Sequence, residues 1–105
     1  MIINRPGAVF EYGGVRYAVG MPVIATSESE YEGLTGRITE IRDGEDKETD
    51  NDTPDLYCKF DIPAHPDDVR RLEDAFSALY GAPKKLDEIA LDLVIMAPEM
   101  VRPMG

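Results

Sequence analysis

The sequence predicts a mainly β protein, a small barrel of about five strands with one amphipathic helix inserted before the last strand. Three stretches carry that prediction. Ala8–Val19 reads as a hairpin, Tyr31–Ile41 as a strand that has to bend, and Leu56–Ile62 as a strand with one buried face. The chain has 105 residues, of which 43% are apolar, enough to build a core. Residues 1–105 are read as one domain, since single domains span ~50–250 residues.

Ala8–Val19, AVFEYGGVRYAV, sets two β-rich runs on either side of Gly13-Gly14, a pair suited to a two-residue primed turn. Pairing across that turn puts Tyr12 opposite Val15, Phe10 opposite Tyr17 and Ala8 opposite Val19, all on one apolar face. On the other face Glu11 meets Arg16, a pairing that suits a wet surface. Gly20-Met21-Pro22 ends the hairpin, Val23–Thr26 gives a short third strand, and Ser27–Glu32 is a polar loop.

In Tyr31–Ile41, YEGLTGRITEI, Gly33 and Gly36 allow positive φ or a close backbone approach. Ile38 and Ile41 differ in parity, so a flat strand would send them to opposite faces. One extra residue around Thr39–Glu40, a β-bulge, brings both inward and bends the strand. The spacing G-x-x-G-x-I-x-x-I resembles the core of KOW-type motifs, which occur in small SH3-like barrels of transcription and ribosome-associated proteins. The resemblance implies an SH3-like (KOW-like) barrel. Tyr31 has two readings, a cover for the core or an aromatic partner contact.

Asp43–Asp55, DGEDKETDNDTPD, is the compositional outlier. Its seven acids against Lys47 alone supply −6 of the chain's net charge of −10. With almost no apolar side chain, it is expected to be a mobile loop between two strands. Leu56–Ile62 then alternates, with Leu56, Cys58, Phe60 and Ile62 inward and Tyr57, Lys59 and Asp61 outward. Pro63 stops it. His65-Pro66-Asp67-Asp68 starts a helix over about 66–80, with acids at the positive end of its dipole. Val69, Leu72, Phe76 and Leu79 form its apolar stripe, and Asp67–Arg71 and Arg70–Asp74 are spaced for ion pairs. Gly81 and Pro83 end the helix. Leu86–Ile89 forms a short helical turn, Leu91–Met96 the closing strand, and MVRPMG a loosely held tail.

No catalytic constellation stands out. Cys58 and His65 could make a nucleophile–base pair, against the ordinary fate of a core cysteine and a helix-entrance histidine. The acidic segment lacks the glycine at the sixth position of an EF-hand loop, so its default reading is a solvated charge run with a weak, irregular Ca²⁺ site as the alternative, and neither a cofactor nor a built metal site is expected. A charge of −10 repels phosphates and anionic lipid, which argues against direct nucleic-acid or membrane binding. With no basic-then-apolar leader, no membrane-length apolar run and one cysteine, the expectation is a cytoplasmic protein.

Across RPGAVFEYGGVRYAVG, SEYEGLTGRITEIRDGEDKET and LVIMAPEM, the chain resembles small acidic proteins carried on conjugative mobile elements of gut Firmicutes. That resemblance implies genomic company and no mechanism. The functional expectation is a non-enzymatic protein-binding accessory or regulatory module with a basic protein partner. Its candidate contact residues are Tyr31, Asp43, Glu45, Asp46, Glu48, Asp50 and Asp52. The alternatives are a nucleic-acid mimic acting on a DNA-binding enzyme and a small enzyme using Cys58 and His65.

Overall fold

The computed structural model describes residues Met1–Met104. Over these residues the chain forms eight strands and one α-helix. In order they are β1 (Ile2–Ile3), β2 (Val9–Tyr12), β3 (Val15–Ala18), β4 (Pro22–Ala25), β5 (Thr35–Arg42), β6 (Asp55–Phe60), α1 (Pro66–Tyr80), β7 (Val94–Met96) and β8 (Val101–Pro103). Five strands lie side by side in the order β7-β6-β5-β4-β8, all antiparallel, while β2 and β3 form a separate hairpin. No ladder joins β7 to β8 among the described residues, so the expected barrel is not closed.

β5 holds this arrangement together. At eight residues it takes β4 along its first half, β1 beside Ile41 and Arg42, and β6 along its other edge. Ile38 faces Cys58 but Glu40 faces Tyr57, so Thr39 is the extra residue of a bulge. Its hydroxyl donates to the Tyr57 carbonyl at 3.2 Å. Ile38 and Ile41 consequently both point inward and are fully buried. Gly36 serves a different need. A Cβ there would sit 2.2 Å from the Lys59 carbonyl oxygen and 2.8 Å from Phe60 Cα, so only glycine lets β6 approach.

The hairpin has the expected register, from Tyr12–Val15 to Val9–Ala18, with Glu11 opposite Arg16. Gly13 and Gly14 both have positive φ, as a type I′ turn requires. Its base packs on the core through Tyr17 and Phe10, whereas Tyr12 and Val15 at the tip reach past it into solvent.

The helix begins where the sequence says. The His65 side chain caps it, Nδ1 accepting from the Asp67 amide at 3.1 Å, and Gly81 ends it in the left-handed conformation. Leu72 and Phe76 are buried. Tyr31 stacks on Phe60 at 5.2 Å and meets the Phe76 edge at 5.0 Å, tying α1 to β6. Leu79 is 56% exposed and Tyr80 beside it is exposed too, because the last turn of α1 stands clear of the core that buries Leu72 and Phe76. Arg71 pairs with Asp68 three residues back, not with Asp67, and no Arg70–Asp74 pair forms among the described residues.

Other expectations need correction. Tyr57 is buried, since the Arg42 guanidinium lies 4.9 Å from its ring centroid and covers the face expected to be wet. Ile62 is 73% exposed because β6 ends at Phe60. The tail is not loose as far as Met104, and Gly105 lies outside the described residues. Pro98–Met100 makes a 3-10 turn and β8 pairs with β4, so two strands follow the helix instead of one. The Leu86–Glu88 turn is present as expected.

Gly36→Ala should cost about 3 kcal/mol in chemical denaturation, the upper end for overpacking between fixed backbones. Gly36 has no positive φ, so the loss would measure strand approach alone. Stability within about 0.5 kcal/mol of wild type would contradict that contact.

Candidate functional site

The β5–β6 loop carries most of the candidate contact residues, and it is folded around one buried carboxylate. Asp55, only 1% exposed, accepts from the Glu48 amide at 2.8 Å, the Thr49 amide at 3.1 Å and the Thr49 hydroxyl. Burial pushes the Asp55 carboxyl up, but these donors, with Lys47 nearby, outweigh it and hold its pKa below the ordinary carboxylate value. A second knot forms at Asn51. Its Oδ1 accepts from Lys47 Nζ at 3.0 Å, Thr49 Oγ1 at 3.0 Å and the Thr53 amide at 3.3 Å. The sequence expectation of a mobile loop took account of its missing apolar side chains but not of this internal polar network.

The root of the loop is fixed from β5. Arg42 Nε donates to Glu40 at 2.6 Å, its Nη1 donates to Glu48 at 3.3 Å, and its guanidinium lies over the Tyr57 ring. Beneath it, burial and the adjacent Glu48 carboxylate push the Tyr57 hydroxyl up to about 12. The Met1 amine donates to the Asp43 carbonyl at 2.9 Å and pairs with Asp46. Glu45, Asp46, Glu48, Asp50 and Asp52 stand in solvent, and Asp43, half-buried, caps the 3-10 turn at Gly44–Asp46. The structure therefore gathers six of the seven candidate residues on one shaped, anionic projection.

Tyr31 is the seventh and belongs elsewhere. It is 8% exposed, its hydroxyl donates to the Ala90 carbonyl at 2.6 Å, and burial raises its pKa to about 12. It is a core residue, the first of the two readings given above. Cys58 is sealed in the core, where burial pushes its thiol up to about 12. His65 is exposed and spends its Nδ1 on the helix cap. A thiol held neutral and out of solvent is a poor nucleophile, so the structure does not join these two into a reactive pair. Among the described residues no three His, Cys, Asp or Glu side chains converge as metal ligands.

A second surface had no signal in the sequence. A groove of about 740 Å³ lies between the end of β6, the 3-10 turn at Leu86–Glu88 and the segment leading into β7. Ile62 and Leu93 form its lips, over Leu86, Ile89 and Leu91. Alternation assigned Ile62 to the core, and Leu93 fell inside an apolar run read as strand. Neither pattern records where a strand stops.

Asp55→Asn should destabilise the chain by about 1.5 kcal/mol, the low end for hydrogen bonds to a charged group. The depressed pKa fixes the sign. Stability from Asp55 is present above the unfolded carboxylate value, near pH ~4, and is lost as pH falls through the lower folded value. Denaturant unfolding from pH 6 to 2 should therefore fall more steeply for wild type than for Asp55→Asn, and parallel curves would contradict the assignment. No protein-family model, curated protein or solved structure matches this chain.

Proposed function

We propose that the protein is a non-enzymatic protein-binding module, accessory or regulatory to its partner, which docks its β5–β6 projection on a basic protein surface. The setting we infer is that of the mobile-element proteins its sequence resembles. We read the sheet as an SH3-like barrel short of one seam. Its β4-β5-β6-β7 meander returns through a 3-10 turn so that β8 pairs with β4, the path such a cylinder takes.

One observation carries the reading. Five exposed carboxylates sit on a loop whose conformation is set by Asp55, Asn51 and Arg42, while Lys47, its only cation, is turned onto Asn51. A shaped loop has less ordering entropy to lose on binding than a floppy one. Of the five carboxylates, Glu45, Asp50 and Asp52 have no cationic partner among the described residues, and such unpaired charge of one sign steers a basic partner and makes its on-rate salt-dependent. The same field opposes phosphate backbones, which favours a protein surface over nucleic acid.

The test is affinity capture with purified wild type and with an Asp46→Asn/Asp50→Asn/Asp52→Asn variant, at low and at near-physiological salt. The expected result is a basic protein held by wild type, weakened by salt and lost with the variant. An identical captured set for both chains would contradict the reading. Displacement of the partner by duplex DNA would instead favour the nucleic-acid mimic.

A further inference from the structure

Exposed apolar side chains are ordinary when scattered singly and informative when they adjoin. The two most exposed large apolar residues among those described, Ile62 at 73% and Leu93 at 62%, stand on the same groove. Backbone pairing brings them together. The Phe60 amide donates to the Leu91 carbonyl at 2.8 Å, so the chain leaving β6 runs beside the chain entering β7. Below these lips, Ile89 and Leu91 belong to the core and give the groove a rigid floor. The floor is also tied on its polar side. The Leu86 amide donates to Glu73 Oε2 at 2.8 Å, and the Ala90 carbonyl accepts from Tyr31. A volume of about 740 Å³ falls within the ~300–1,000 Å³ of ordinary binding clefts.

The rim selects the occupant. Asp87 and Asp92 are exposed and have no cationic partner among the described residues, and Glu73 adds a third carboxylate. Lys85 is the one cation on the lining. An anionic amphiphile such as a fatty acid would meet both this rim and a net charge of −10 with the wrong sign. A second copy of the chain would bring the same repulsion. A segment with apolar side chains and lysine or arginine flanks matches floor and rim together.

We propose that this groove binds a short, basic amphipathic segment of a partner protein, seated between Ile62 and Leu93 with its cations on Asp87 and Asp92. Resting on the protein-binding reading above, the groove gives the partner a second requirement, an apolar anchor beside its basic surface. Affinity is then shared between desolvation at the groove and steering by the charged loop.

The test is NMR titration of the isotopically labelled full chain with the peptide Ac-KLLKKLLK-amide. Its acidic counterpart Ac-ELLEELLE-amide and decanoate serve as sign controls. Saturable shifts are expected at Ile62 and across Leu86–Leu93 with the basic peptide. Binding should weaken roughly tenfold or more in Ile62→Ser/Leu93→Ser, whose exposed positions leave folding intact. A smaller weakening is expected in Asp87→Asn/Asp92→Asn. Shifts confined to Gly44–Asp52 and unchanged by the serine variant would overturn the groove while sparing the loop. Unchanged groove binding in the loop-neutralised chain would support the groove even if the loop reading failed. No saturable binding, preference for the acidic peptide or decanoate, or a groove-dependent dimer in sedimentation would each refute the proposal.

Discussion

An eight-residue strand that buries both Ile38 and Ile41 on one face must absorb a residue between them. Thr39 is that residue, and the rest of the sheet follows from the bend it creates. Before the bulge, β5 meets β4 and lets β6 come close at Gly36. After it, the strand meets β1 and reaches the root of the acidic loop. A flat β5 would send one isoleucine into water. Each such side chain contributes about 1.5–3 kcal/mol on full burial, a large share of a small domain's net stability.

The bulge also organises charge. By shifting register it sets Glu40 opposite Tyr57 and Arg42 opposite Asp55. Arg42 then bridges Glu40 and Glu48 over the Tyr57 ring, while Asp55 gathers the backbone of the returning loop. A chain carrying −10 has to hold its like charges apart, and here −6 of that net charge sits on one projection whose base is neutralised. The proposed function uses that same separation. In that proposal the loop supplies the field, and the groove supplies apolar area at Ile62, Leu86, Ile89, Leu91 and Leu93.

Much of this was legible in the chain itself. Gly13-Gly14 with matched partners on both faces fixed the hairpin register. The parity of Ile38 and Ile41 demanded the bulge, and His65-Pro66 with Gly81 bounded the helix. What escaped were features set by tertiary context. Ile2–Ile3 and Val101–Pro103 are too short to announce strands, and they become strands only because β5 and β4 offer free edges. Alternation put Ile62 inside and Tyr57 outside. Periodicity does not record that β6 ends at Phe60 or that Arg42 covers the outer face. The loop's order was invisible for a similar reason, since polar networks around Asp55 and Asn51 leave no hydrophobic pattern. The acidic residues of the candidate site were found from composition, whereas the groove needed coordinates.

The most direct measurement is the set of cross-strand NOEs between β5 and β6 in solution. The bulged register predicts contacts pairing Ile38 with Cys58, Glu40 with Tyr57 and Arg42 with Asp55, with Thr39 skipped. A regular ladder pairing Thr39 with Tyr57 and Ile41 with Asp55 would turn Ile41 to solvent and contradict the account at its root.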